Sequence, residues 1–346
     1  MERLPFQHQA LIYEGADDYL GGTMPFLRAA LEAGKPTMVA VGQVQAELLL
    51  AELGGDAARI RFVDMWEAGR NPAAIIPLWR EFVDEYQGRE VCGIGEPVWA
   101  DRSPAALEEC HRHEALLNVA FASPPAWQLL CPYDACSLDQ ETIAKVAYSH
   151  RQIHWRGGVE ESPAFEADPD CIAGELPPPP APADMLTFGL GELGVVRRLV
   201  VAEAERAGIG RSGVADLVTA ASELAANSVI HGGGSGTLRM WRGDGSLLVE
   251  IEDDGRIEDP LVGRLRPTVS QEGGRGLWIA NQLCDLVQIR SGAAGTKVRL
   301  HVPAPGVTDY DQTDAALQNQ SPGSAARLAR RPDRGRAGPC GYRSTR

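Results

Sequence analysis

A chain of 346 residues is too long for one ordinary domain, and 44% hydrophobic with 23% charged residues is a globular balance that excludes a mostly disordered or fibrous protein. The net charge of −14 argues against direct DNA or RNA binding, because phosphate contacts need a basic face. Seven arginines between Ser321 and Arg346 are offset only by Asp333, so the rest of the chain is more acidic still, at about −20. The seven cysteines (Cys92, Cys110, Cys131, Cys136, Cys171, Cys284, Cys340) are odd in number and form no CxxC pair, which supports neither a disulfide framework nor a zinc knuckle. No apolar run of about 18 residues occurs, and MERLPFQHQ has no apolar stretch behind Arg3. The expectation is a cytoplasmic protein with neither membrane span nor signal peptide.

The first half alternates short β-rich runs with longer helical ones. Strands are predicted at 10–13, 37–42, 60–64, 91–95 and 127–131, and helices at 17–33, 72–87 and 104–122, a pattern that implies a parallel sheet covered by helices. Gly34-Lys35-Pro36-Thr37 imitates the end of a phosphate-binding P-loop, but it follows a helix and precedes a strand, and Ala30 stands where the motif requires glycine. A helix C-cap explains Gly34 better. Ligands of parallel sheets lie beyond the carboxyl ends of the strands, where this chain carries Tyr13, Glu96, Trp99, Tyr133 and Asp134. Two aromatic–carboxylate readings stand side by side there, a small-molecule pocket and ordinary loop residues.

His8 with Leu11-Ile12-Tyr13, Gly95-Glu96-Pro97-Val98-Trp99, the helix His113-Glu114-Ala115-Leu116-Leu117-Asn118 and Cys131-Pro132-Tyr133-Asp134 together resemble the MEDS sensory domain. The resemblance implies a RecA-like fold with helices on both faces of the sheet, and sensing of a small molecule. Residues 155–185, with Pro177 to Pro180, read as a stiff linker, and the polar, Arg-rich stretch 305–346 as a disordered tail. The expected units are therefore 1–154, 155–185, 186–304 and 305–346.

In the second half, Ser212 to His231 has the length of five helical turns, and Glu223, Asn227 and His231, four apart, share one face. The strand Ser246 to Glu252 runs into Asp253-Asp254-Gly255. Gly273-Gly274-Arg275-Gly276-Leu277 opens a helix from Trp278 to Cys284, and glycines at a helix start let backbone N–H groups and the helix dipole approach an anion. DLVQIRS and TKVRLHV, joined by Gly292 to Gly295, form a hairpin with one buried and one wet face.

Four elements in order, Glu-x-x-x-Asn, Asp-x-Gly, Gly-x-Gly-Leu and Gly-Thr, resemble the GHKL (Bergerat-fold) ATPases, a two-layer α/β sandwich, and SELAANSVIHG looks most like the anti-sigma-factor serine kinases. The resemblance implies ATP and magnesium as cofactors. It assigns Asn227 to the metal, Glu223 to polarising the attacking hydroxyl, Asp253 to the adenine amino group and Gly255 to the purine face. Gly274, Arg275, Gly276 and Leu277 fall at the phosphates, and Thr296 completes the adenine pocket. Ile257 departs from relatives that have a second glycine there. The implied partners are a sigma factor, an anti-anti-sigma (STAS-type) protein and a small molecule at the N-terminal domain, with homodimerisation left open. A sensor histidine kinase using His113, and an ATP-binding regulator without phosphotransfer, are the alternatives.

Overall fold

Two sheets, each with its own helices, occupy the two halves of the computed structural model, which describes residues 6–123, 126–166, 174–181, 183–267 and 274–305. In the first half β1 (Phe6–Tyr13) leads through α1 (Ala16–Glu32) to β2 (Thr37–Val41), and α2 (Gln43–Leu53) leads to β3 (Ile60–Asp64). The short α3 (Met65–Ala68) and α4 (Ile75–Glu85) precede β4 (Val91–Gly95), α5 (Pro104–Ala120) and β5 (Trp127–Asp134). After α6 (Gln140–Ser149), β6 (Gln152–Trp155) and β7 (Gly158–Glu161) complete a seven-stranded sheet ordered β3-β2-β4-β5-β1-β6-β7. Every pairing in it is parallel except β6 with β7.

Local chemistry explains these elements. β2 and β4 are buried along their whole length, as strands covered on both faces should be. Helix α1 ends where Gly34 adopts φ +64°, with Lys35 N donating to Ala30 O and Gly34 N to Leu31 O; this is a Schellman cap, the role expected for this glycine in place of a P-loop. Ser103 caps α5 by accepting from Ala106 N, and Pro104 follows at the first helical position. Residues of α1 and α2 (Tyr19, Leu27, Leu49) pack on one face of the sheet, and residues of α4, α5 and α6 (Trp79, Leu116, Val146) on the other. β6 and β7 correct the expected linker, because Trp155 ends one strand and Gly158–Glu161 forms the next, and both extend the first sheet.

The second half is a five-stranded antiparallel sheet covered on one side. It comprises β8 (Asp184–Gly189), α7 (Leu193–Arg206), α8 (Arg211–His231), β9 (Ser235–Gly243), β10 (Ser246–Asp253), α9 (Arg275–Leu283), β11 (Leu286–Gly292) and β12 (Gly295–Pro303), with strand order β11-β12-β10-β9-β8. Val196, Leu217, Leu224 and Ala280 from the three helices pack onto Leu238, Val249, Val287 and Leu300 from the strands, so this half is a two-layer sandwich. Strand β8, helix α7 and strand β9 have no counterpart among the elements expected from sequence.

The halves touch through polar contacts around α9 and α5. Asn71 donates to the carbonyl of Asn281 at 2.9 Å and to that of Cys284 at 3.3 Å, occupying carbonyls that the end of α9 leaves without a helical partner. Glu109 of α5 pairs with Arg264 at 3.0 Å and Arg290 at 2.6 Å, with Arg264 and Glu109 both buried, while Leu261 and Leu265 pack on the core of the first half. Of the Pro-rich segment, Pro177 lends its carbonyl to Arg299 at 2.6 Å. Residues 306–346 of the expected tail, Gly273, and residues 167–173 and 182 of the expected linker lie outside the described residues. No helix among the described residues is long and apolar enough to cross a membrane.

Candidate functional site

The cavity that collects most of the sequence-predicted residues opens between α8, the end of β10 and the start of α9. It measures about 320 Å³, and Asn227, Asp253, Gly255, Gly274, Leu277 and Thr296 all line it. Its pieces come from distant parts of the chain because β10 and β12 are neighbours in the sheet, with Asp253 opposite Thr296 in register. Ile257 lines it too and packs against the second core.

Asp253 is held by two donors. Its Oδ1 accepts from Gly255 N at 2.9 Å, and its Oδ2 accepts from Ser228 Oγ at 2.6 Å. Each carboxylate oxygen retains a further lone pair, so the group is oriented and still able to accept from a ligand amino group. Thr296 Oγ1 donates to Gly255 O at 2.8 Å and meets Ser291 Oγ at 2.7 Å, while Ser291 Oγ accepts from Ile257 N at 2.8 Å. Residues 253–257 are thereby fastened to the β11–β12 hairpin.

Two glycines here are required by space. A Cβ on Gly255 would stand 2.7 Å from His231 O, and one on Gly276 would stand 2.8 Å from Asn227 Nδ2 and 3.1 Å from Glu223 Oε2. Gly276 therefore brings the α9 backbone against the Glu-Asn face of α8. Gly274, the N-cap of α9, has φ +78°, a left-handed conformation natural to glycine, and lines the cavity, so the start of the helix lies at its wall. The arrangement offers one end with a carboxylate acceptor and apolar walls, Leu224, Ile251 and Val298, and another with a helix N-terminus beside an amide. That polarity suits a nucleotide.

Glu223, Arg275 and Gly276 do not line the cavity. Glu223 stands behind Gly276, and Arg275 is the exposed first residue of α9. Ser228 and Ser291, absent from the expected set, hold it together. Ser291 had a signal in the sequence, since a hairpin turning at Gly292 to Gly295 pairs it with Thr296.

Of the five residues expected to rim a sensory pocket, Tyr13, Glu96 and Asp134 gather, while Trp99 and Tyr133 do not join them. Tyr133 and Asp134 are consecutive on β5 and face opposite sides of the sheet. Tyr133 and Trp99 join the core beneath α4, α5 and α6, and Tyr13 joins the core beneath α1 and α2. Strand alternation thus corrects the single rim. Tyr13 donates to Glu96 Oε1 at 2.8 Å, while Glu96 Oε2 has no partner among the described residues. Burial pushes the Glu96 carboxyl up to about 8, with the Tyr13 hydrogen bond opposing and Asp134 adding to the rise. His113 is fully buried and its pKa falls to about 3, chiefly through burial, so it presents no nitrogen to a phosphate donor.

Residues 7–151 match the family model of the MEDS domain, described as the MEthanogen/methylotroph, DcmR sensory domain, and residues 187–302 match that of the histidine kinase-like ATPase domain. The chain thus joins a MEDS domain to a histidine kinase-like ATPase domain, the parallel-sheet half followed by the antiparallel-sheet half. Among solved structures, the RsbU and RsbW domains of Rv1364c from Mycobacterium tuberculosis are similar at 24% identity and a TM-score of 0.27, over 36% of this chain and 32% of that one. The chain spans about a third of that neighbour's length. No curated protein matches the chain.

Proposed function

We propose that this protein is an anti-sigma regulator whose second half binds ATP with magnesium and phosphorylates a serine or threonine of an antagonist protein, so releasing or holding a sigma factor in response to a small molecule sensed by the first half. The observation that carries the proposal is the convergence of Asn227, Asp253, Gly255, Gly274 and Thr296 on one cavity at the N-terminus of α9. Bound magnesium would neutralise charge on the phosphates as the γ-phosphoryl group moves, which is most of what phosphoryl transfer demands.

The residues of the chain fall into roles that follow from this placement. Asp253 accepts from the adenine amino group, and Gly255 leaves its turn flat for the purine. Asn227 supplies an amide oxygen to the metal. Gly274 and Gly276 let the α9 N–H groups close on the phosphates, and Glu223, next to Gly276, takes the proton of the incoming hydroxyl as its oxygen bonds to phosphorus and ADP leaves. The sensory unit of this reading ends with β7, and the ATPase unit runs from β8 to β12. The enclosed position of His113 weighs against a histidine kinase built on that residue.

The test is incubation of the full chain with labelled ATP and candidate antagonist proteins, followed by acid treatment. Acid-stable label on the antagonist is expected. Acid-labile label on the chain itself would favour a histidine kinase, and calorimetric ATP binding with no transfer would leave an ATP-binding regulator.

A further inference from the structure

The MEDS half contains a second cluster of chemistry-bearing side chains, separate from the cavity and independent of the function proposed for it. His8 on β1, Glu114 on α5, Cys131 on β5 and His150 just after α6 are all buried, and one ligand-type atom from each lies within 4.8 Å of the others. His8 Nε2 is 2.9 Å from Glu114 Oε2 and 3.3 Å from Cys131 Sγ, and His150 Nε2 is 3.2 Å from the same Glu114 oxygen. It is the one group of this kind among the described residues.

The neighbours of the cluster decide where its protons sit. His150 Nδ1 lies 2.9 Å from the carbonyl of Val146, an atom that only accepts, so Nδ1 carries a hydrogen, and in the neutral ring Nε2 offers its lone pair to the cluster. Asn118 donates its amide N–H to Ser149 O at 2.8 Å, which leaves its Oδ1 facing His8 Nδ1 at 3.3 Å, so His8 Nε2 is likewise turned inward as a lone pair. Glu114, a residue 1% exposed, meets both rings through Oε2, and its Oε1 has no hydrogen-bond partner among the described residues. Two imidazoles, a carboxylate and a thiol therefore converge in a buried space, and a cation between them would offset the cost of burying the carboxylate there.

We propose that His8, Glu114, Cys131 and His150 bind a divalent transition-metal cation of the zinc class. The donor set of two nitrogens, one sulfur and one oxygen suits a borderline-soft ion and is wrong for calcium or magnesium, which take oxygen. Charge balances as well. A divalent ion with one thiolate, one carboxylate and two neutral imidazoles is neutral, as a site sealed from water requires, and binding releases the Cys131 thiol proton to solvent. Tetrahedral bonds of about 2.0–2.3 Å place donors about 3.3–3.7 Å apart, so the spacings of 2.9–3.3 Å open slightly and any wider ones, at most 4.8 Å, close by about 1 Å. Asn118 and the Val146 carbonyl orient the two rings from behind as positioning groups. Four protein donors leave no open position, so the ion pins α5 and α6 to β1 and β5. Glu109, which pairs with Arg264 and Arg290 of the ATPase half, lies on the same helix as Glu114.

The experiment uses the full chain without a polyhistidine tag, stripped with chelator and titrated first with cobalt(II) and then with zinc(II). Expected are one equivalent of cobalt per chain, the visible d–d bands of a tetrahedral ion, a thiolate-to-cobalt band in the near ultraviolet, and loss of both on zinc addition. Cys131→Ser should keep the circular dichroism of the fold and lose the thiolate band, and Asn118→Ala should keep the band while weakening affinity about 10–100-fold. Absence of cobalt uptake by the folded wild-type chain would overturn the proposal whatever the variants do. So would a thiolate band that survives in Cys131→Ser, because the metal would then sit elsewhere.

Discussion

Asp253 and Glu223 carry opposite expectations although both are carboxylates beside one cavity. Asp253 is fixed by Ser228 and Gly255 and faces the apolar end, so Asp253→Asn, which replaces one acceptor by a donor, should lower ATP affinity by roughly 10–100-fold, the worth of a hydrogen bond to a charged group. Titration calorimetry measures it. Glu223 stands beside Gly276 and outside the cavity lining, so Glu223→Ala should leave ATP affinity unchanged, and if it acts as the proposed base the change should slow transfer to a partner hydroxyl by about 100- to 10,000-fold. Glu96 is a pH-dependent case. With its pKa raised from 4.5 to about 8, chiefly by burial, the folded protein keeps a proton there that the unfolded chain loses above pH 4.5, so Glu96 makes stability fall as pH rises through that window. His111 and His113, lowered to about 4 and about 3 by burial, act in the opposite sense below their ordinary value of 6.5 and remain in the variant. In urea unfolding at several pH values, Glu96→Gln should remove the Glu96 contribution, with the gap between variant and wild type widening from acid to pH 8.

At the scale of elements, the close pairing of α8 with α9 rests on Gly276. Gly276→Ala places a methyl 2.8 Å from the Asn227 amide and 3.1 Å from the Glu223 carboxylate, and the α9 N-terminus must move away from α8. The helix itself should gain from alanine, so α-helical circular dichroism should be retained while magnesium-dependent ATP affinity drops by about 10-fold or more. Calorimetry with and without magnesium distinguishes this from general destabilisation. Strands and helices with strong periodic patterns are legible in the sequence: the helix expected from Ser212 begins at Arg211, and the hairpin spans Leu286–Gly292 and Gly295–Pro303. β6 and β7 are not, because each has only four residues: Gln152–Trp155 alternates over just two apolar side chains, and Gly158–Glu161 is exposed throughout and does not alternate.

For the whole molecule, contact between the halves ties the first half to α9, the helix whose N-terminal glycine lines the cavity. Asn71→Ala removes the donor that serves the carbonyls of Asn281 and Cys284, leaving buried acceptors unpaired at a cost of about 1–3 kcal/mol. Hydrogen exchange should quicken in residues 275–284 and stay unchanged in α1 and α2. Unchanged exchange in α9 would show that this contact does not hold the helix.

The sequence by itself determined the two α/β halves, their order and the motif residues of the second, because periodicity and short glycine motifs are local properties of the chain. The order of those motifs, through the family they resemble, joined Asn227, Asp253, Gly255, Gly274 and Thr296 in one site. Only the tertiary structure decided that Tyr133 and Asp134 part to opposite faces, since that depends on which side of β5 each neighbouring helix covers. The same holds for Ser228 as a support of Asp253. His8, Glu114, Cys131 and His150 are separated by up to 142 positions and follow no ligand spacing, so no linear pattern joins them. They meet because β1 lies between β5 and β6 in the sheet and α5 packs across that place, a fact of strand order and not of sequence order.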